Sequence, residues 1–265
     1  MNVIDGKGVT VLGAGLSGIV ELRSDGLVVK SPWPDWRAQQ SQADLEREAR
    51  AHFKLQEGLS KDNYTRRFIR LISYNPDDST LTMDYAENGT LRDYLQKQSH
   101  LDQNTRSRRC SWILAMAEGL AMLHTQDIIH CDFTPNNMLL DHRLELKITD
   151  FGCSSIDGSP STGTAGTRFD PGTSHWSTPA TKEDDLFALG SSIYEVLTSK
   201  RPYEDIPSDQ VRFLHRQRQF EDLTGLEMSE IILDCWLLRA HSAEAVDQRV
   251  FAARSTYSEA WHSNE

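Results

Sequence analysis

Cysteine is sparse in this chain. Cys110, Cys131, Cys153 and Cys235 are the four among 265 residues, and no two form a C-x-x-C pair. Four cysteines in a chain of this length are too few for a disulfide scaffold, and no C-x-x-C pair marks a zinc knuckle. Reduced thiols then point to an intracellular setting, cytoplasmic or nuclear. No run of about 18 apolar residues occurs, so no membrane span is expected. The first 20 residues lack a basic start followed by an apolar core and a cleavage site, and no secretory signal is expected there. A basic surplus is absent too: 28 Lys and Arg stand against 39 Asp and Glu, a net charge of −11. That balance argues against non-specific binding to nucleic acid or to an anionic membrane. No repeat or low-complexity linker interrupts the chain, and its length suits one folded unit and little else.

What is present is a pair of acidic motifs. Ile129 to Asn137 reads I-H-C-D-F-T-P-N-N, which sets Asn137 five residues after Asp132. Thirteen residues after Asn137 comes Asp150-Phe151-Gly152. A strand-like run, Met138-Leu139-Leu140, follows the first motif, and another, Leu146-Lys147-Ile148, precedes the second. A carboxylate that orients a hydroxyl, then amide and carboxylate oxygens for Mg2+ on ATP, uses these residue types at this spacing.

The N-terminal third carries a glycine string. Leu12 to Val20 reads L-G-A-G-L-S-G-I-V, with Gly13, Gly15 and Gly18 ahead of Val20. Val9-Thr10-Val11 precedes it and Ile19-Val20-Glu21-Leu22 follows, so the string sits in a hairpin between strands. A dinucleotide-binding fold would open a helix at the third glycine. Here Ser24-Asp25-Gly26 turns the chain again, and Leu27-Val28-Val29-Lys30 starts a third strand. The glycines either let backbone N–H groups lie over phosphates or only form a tight turn. A lysine at those phosphates needs an acid to hold it. Ala43 to Gln56 is rich in helix formers, ends at Gly58, and offers Glu46 and Glu48. Leu45, Ala49, His52 and Phe53 form its expected inward face.

Taken together, these motifs resemble the eukaryotic-type protein kinase superfamily, and the resemblance covers nearly the whole chain. It implies an α+β, two-lobed fold forming a single kinase domain over residues 1–265. The β-rich small lobe would span about 1–85 and the mainly helical large lobe about 86–258. It implies ATP and Mg2+ as cofactors and a protein substrate. Lys30 would hold the α- and β-phosphates, and Glu48, seven residues before Leu55 as in the family's third-strand partner helix, would hold Lys30. Gly13, Gly15 and Gly18 would cover the phosphates. The adenine would lie between Leu12, Val20 and Val28 above and Leu139 below, with Met83 behind it and the backbone of Asp84 and Ala86 along its edge. Asn137 and Asp150 would bind the metal, and Asp132 would orient the acceptor hydroxyl. His130 is expected to contact Phe151 structurally. Gly89 to Leu95, the D-L-F-A-L-G run at Asp185 to Gly190, and Cys235-Trp236 resemble further landmarks, with Asp185 bracing the catalytic loop.

The large lobe reads as helices. Asn104 to Leu123 sets Trp112, Met116, Leu120 and Leu123 at helical spacing, with Arg106, Arg108 and Arg109 expected on a solvated face. Glu183 to Ser199 is apolar almost all round, the mark of a buried helix. Gly152 to Thr178, rich in Ser, Thr and Gly, reads as a mobile activation segment. Four departures qualify the resemblance, one being Val28 where many kinases have Ala over the adenine. Cys131 stands where regulated kinases carry an Arg for a loop phosphate, so that phosphate is not expected to be required. Thr134 and Asn136 stand where Ser/Thr and Tyr kinases place Lys and Arg. No Ala-Pro-Glu triplet appears, and Pro179-Ala180 is the nearest match. The leading reading is a Ser/Thr protein kinase. The alternatives are a nucleotide-binding pseudokinase scaffold, a small-molecule phosphotransferase and, last, a dinucleotide oxidoreductase.

Overall fold

The computed structural model describes residues 4–5, 9–97, 103–173 and 179–262. The first lobe is a six-stranded antiparallel sheet built from β1 (Ile4–Asp5), β2 (Val9–Gly15), β3 (Gly18–Leu22), β4 (Val28–Ser31), β5 (Leu71–Asn75) and β6 (Thr80–Met83). Their spatial order is β1-β2-β3-β4-β6-β5. Between β4 and β5 the chain forms helix α1 (Ala38–Gly58) and the short helix α2 (Lys61–Arg67). Ser79, just before β6, is a left-handed turn residue, φ 56°.

Helix α2 has no counterpart in the sequence expectation. Its residues are polar apart from Tyr64, so no apolar stripe announces it. Its start is nonetheless coded: the Ser60 side chain accepts from the Asn63 N–H, a standard N-terminal cap. At its far end Lys147 Nζ donates to the carbonyls of Thr65 (2.8 Å) and Arg66 (3.0 Å), a cation where helix carbonyls point outward.

The second lobe holds α3 (Leu91–Lys97), α4 (Gln103–Thr125), α5 (Lys182–Thr198), α6 (Ser208–Arg216), α7 (Ser229–Trp236) and α8 (Ala243–His262). It also has two small two-stranded sheets: β7 (Ile128–Ile129) with β10 (Ser155–Ile156), and the hairpin of β8 (Met138–Leu140) with β9 (Leu146–Ile148). Helix α5 is buried along most of its length, including Leu186, Phe187, Leu189 and Ile193. Each such side chain contributes roughly 1.5–3 kcal/mol on leaving water. It begins with the Thr181 N–H donating to the Asp184 carboxylate (2.8 Å) and stops where Ser199 turns left-handed, φ 59°.

Two expected surfaces differ. Phe53, placed inward by periodicity, is 43% exposed on α1. Arg109, placed on a solvated face, is 2% exposed. Its guanidinium donates to the carbonyls of Val196 and Leu197 and to Ser199 Oγ, closing the C-terminus of α5. Arg106 pairs with Glu227. The apolar core falls into two clusters. A small one joins Leu45 and Ala49 of α1 to Ile69, Leu71, Leu81, Met83 and Ala86. The large one takes in Ala51 and Leu55 of the same helix, then Tyr64, Phe68, Phe151 and the helices of the second lobe.

Candidate active site

The glycine hairpin closes at Gly15 and Gly18, whose Cα atoms pair across the strands. Gly18 has φ 149°, and a Cβ there would lie 2.2 Å from the Ser31 carbonyl oxygen, so only glycine fits. Gly13 and Gly15 are different: a Cβ on either would meet nothing within 4 Å. Protein packing does not demand glycine at those two positions, which leaves their backbone open to close approach by a ligand. Trp33 Nε1 donates to the Gly15 carbonyl at 2.9 Å and holds the tip.

Strand register carries Lys30 inward, paired with Val20 on β3 and Leu81 on β6. Its Nζ reaches Glu48 Oε2 at 2.7 Å and Asp150 Oδ1 at 2.9 Å. Glu46, the alternative, is exposed. Burial pulls the Lys30 ammonium down, but Asp150 and Glu48 together reverse this and hold it above the ordinary lysine range. Burial also lifts the Glu48 carboxyl, against the pull of Lys30. For Asp150 the attraction of Lys30 overcomes the opposing burial, and its carboxyl sits below the usual value.

The catalytic loop is held from beneath. Asp185 of α5 accepts from the backbone N–H groups of His130 (2.7 Å) and Cys131 (2.9 Å) and pairs with His124 Nε2 (3.1 Å). Cys131 is left-handed, φ 67°, as is Asp150, φ 64°. Non-glycine residues held this way cost about 1–3 kcal/mol each and persist only where surrounding bonds fix them. The His130 ring lies 5.3 Å from Phe151 and 5.6 Å from Phe133, and its Nε2 meets the Thr149 carbonyl at 3.1 Å. Asn137 Nδ2 donates to Asp132 Oδ2 (2.7 Å) and to the Asp132 carbonyl (2.9 Å). The Thr149 N–H donates to the Asn137 carbonyl at 3.0 Å, which sets Asn137 beside Asp150. Burial raises the Asp132 carboxyl, while His130 and Asn137 oppose and Asp150 adds to it.

Val28, Met83 and Ala86 are buried beneath the sheet, Val20 and Leu139 are half-buried, and Leu12 stands at the rim, 38% exposed. The Asp84 N–H donates to the Arg70 carbonyl (3.1 Å), and its carboxylate pairs with Arg70. The Ala86 carbonyl accepts from the Gly89 N–H at 3.2 Å.

The sequence reading missed several residues. Arg47, beside Glu48 on α1, reaches the Gly152 carbonyl (3.1 Å) and Thr162 Oγ1 (2.8 Å), and so ties α1 to the activation segment. Arg92 of α3 pairs with buried Glu195 at 2.6 Å. A lone arginine among polar residues gives no sequence signal for either contact. The segment also docks earlier than Pro179-Ala180. Phe169 and Pro171 are buried, Arg168 donates to the carbonyls of Tyr203 (3.1 Å) and Ile206 (2.6 Å), and His215 Nδ1 meets the Asp170 carbonyl (2.9 Å). Residues 174–178 at the segment's end, Thr178 included, lie outside the described residues.

A family model for the protein kinase domain matches residues 13–244. Aurora kinase C of Mus musculus is 31% identical over 204 residues, 76% of this chain and 71% of that protein. Aurora kinase A-A of Xenopus laevis is 34% identical over 64% of this chain, and an Aurora kinase of Patiria pectinifera is 31% identical over the same share; each match spans 41% of the longer relative. With a matching family model over most of its length and these relatives beside it, the chain belongs to the protein kinase domain family.

Proposed function

We propose that this chain is an active ATP-dependent protein kinase that transfers the γ-phosphate to a serine or threonine hydroxyl. The observation that carries the reading is the convergence of Lys30, Glu48 and Asp150 within 2.7–2.9 Å, beside an Asp132 fixed by Asn137. The donors fit Mg2+, which takes hard oxygen ligands and completes its shell with phosphates and water. No group of three or more His, Cys, Asp or Glu forms a metal cage among the described residues. An amide and a carboxylate, Asn137 and Asp150, would hold such an ion beside the nucleotide. When bound there, Mg2+ neutralises charge developing on the transferring phosphoryl group.

The residues divide the remaining work. Lys30, kept charged by its two carboxylates, orients the α- and β-phosphates, and the backbone of Gly13 and Gly15 covers them. With the Asp84 N–H and Ala86 carbonyl engaged in the fold, the Asp84 carbonyl and Ala86 N–H face the purine edge. Asp132 accepts a hydrogen bond from the acceptor hydroxyl and takes its proton as the new bond completes. Thr134 and Asn136 carry neither branch's cation, so a serine or threonine acceptor is proposed as the commoner class in the family.

A second reading, a nucleotide-binding scaffold without transfer, draws on one observation: the loop from His130 to Asn137 holds no lysine or arginine. Two variants separate the readings. Asp132→Asn is expected to keep the rise in Tm caused by Mg2+-ATP and to lose most phosphoryl transfer. Asp150→Asn is expected to lose both. Equal background transfer by the wild type and Asp132→Asn would overturn the kinase reading and leave the scaffold.

A further inference from the structure

Between the activation segment and α6 lies an open cavity of about 650 Å³. Arg212 and Arg216 of α6 rim it, and Asp170 is the one carboxylate among its described lining residues. That carboxylate is already engaged, since Asp170 Oδ1 accepts from the Gly172 N–H at 2.6 Å. The rest of the wall is backbone with the hydroxyls of Ser161, Thr162, Thr164 and Thr167. Arg216 Nε donates to the Gly172 carbonyl at 2.6 Å, which anchors that side chain along the wall. Arg212 is exposed and meets Thr167 Oγ1 at 3.4 Å, a long contact that a carboxylate would displace. Segment residues 161, 163–165 and 170 also line a small pocket of about 20 Å³ that reaches Cys131, the neighbour of Asp132. The two pockets share these segment residues, so a peptide crossing the segment toward Asp132 would pass near Arg212 and Arg216.

Nearby carboxylates of the small pocket are engaged within the fold: Asp184 accepts from the Thr181 N–H (2.8 Å), and Asp185 accepts from the His130 and Cys131 N–H groups. Glu195 is buried behind Phe169, and Arg92 neutralises it at 2.6 Å with its guanidinium 5.4 Å over the Phe169 ring. A carboxylate paired inside the fold offers an incoming lysine or arginine no partner, and displacing Arg92 would leave a buried charge uncompensated. We propose that the protein substrate carries Asp or Glu near its acceptor hydroxyl, held by Arg212 and Arg216. The inference rests on the kinase reading above, yet peptide binding is measurable without transfer. The chain's net charge of −11 gives acidic peptides no long-range attraction, so discrimination comes from contact with the two guanidiniums.

Three fluorescent peptides test this, identical except that the residues flanking one serine are Glu, Ala or Lys. Anisotropy with the full chain is expected to show the Glu peptide binding about tenfold more tightly than the Ala peptide, with the Lys peptide weaker still. R212E is expected to invert the order and R212Q to flatten it, each with an unchanged circular dichroism melt. Equal affinity for the Glu and Lys peptides overturns the proposal, as does an unchanged Glu preference in R212E or no binding of any peptide at millimolar concentration. Transfer from ATP to the same peptides is followed in parallel. Discrimination without transfer counts against the kinase reading alone, and transfer without discrimination counts against the arginine-rimmed groove alone.

Discussion

Gly18 and its two glycine neighbours separate structural need from ligand access. A methyl group at Gly18 would collide with the Ser31 carbonyl, backbone against backbone, and nothing nearby can yield without moving β4. Gly18→Ala is expected to cost about 1–3 kcal/mol, lowering Tm by several degrees, and to weaken Mg2+-ATP binding because β4 carries Lys30. Gly15→Ala meets no atom within 4 Å, so its melt is expected to stay near wild type while its Mg2+-ATP shift shrinks. Calorimetry with and without nucleotide reads both, and a Gly15→Ala protein with undiminished affinity would remove the hairpin from the site. On the kinase reading, Asp132 is expected to supply the pH dependence of transfer. Its burial raises the carboxyl pKa, so protonation disables the base above the ordinary value of 3.8. The acid limb of kcat at saturating Mg2+-ATP is expected above that value and absent from the residual rate of Asp132→Asn.

Helix α5 shows how one element fixes another. Asp185 satisfies two buried backbone N–H groups in the catalytic loop, each worth about 1–3 kcal/mol when orphaned. Asp185→Ala is expected to destabilise the protein by several kcal/mol in urea, and Asp185→Asn, which keeps one acceptor oxygen, by less. Equal stability of the two would mean that the loop is held elsewhere. This helix was readable from the chain because apolar residues cover nearly its whole circumference. The glycine hairpin and α4 were readable for similar reasons, through turn residues and periodicity. Helix α2 was not, since its seven residues bury only Tyr64 and its signals are confined to its ends: the Ser60 cap, Asp62 in the first turn and Arg66 and Arg67 in the last. Arg109 was misread because charge suggests solvent, whereas the carbonyls ending α5 make a buried guanidinium favourable there. At the site, motif spacing brought Lys30, Glu48, Asp132, Asn137 and Asp150 into view. Arg47 and Arg92 stayed hidden because their partners lie about a hundred residues away, at Gly152 and Glu195.

Across the whole molecule, His52 couples the two lobes to pH. Its ring is fully buried, with Nδ1 on the Tyr64 hydroxyl (2.9 Å) and its edge 5.0 Å from Phe151. Burial, then Lys30, pushes its pKa down from 6.5 to about 3. The unfolded chain therefore binds the proton more readily than the folded one. Stability is full above pH 6.5 and is lost as pH falls from 6.5 toward 3, by about 1.4 kcal/mol per unit at most for this one group. Burial lowers His215 in the same direction. Tm is expected to fall between pH 7 and pH 5, and His52→Gln is expected to reduce that slope; an unchanged slope would assign the titration to another group. The same helix that carries His52 also contributes to both apolar clusters, Leu45 and Ala49 to one, Ala51 and Leu55 to the other. The mechanical seam of the molecule thus runs crosswise through α1 rather than along the chain at Asp84. A gene cut at residue 85 would strand Leu55, Tyr64 and Phe68 without their covering, so the first fragment is expected to clump rather than fold. A tilt of the sheet relative to α1 would stretch the 2.7 Å Lys30–Glu48 contact, which makes that distance a built-in gauge of it.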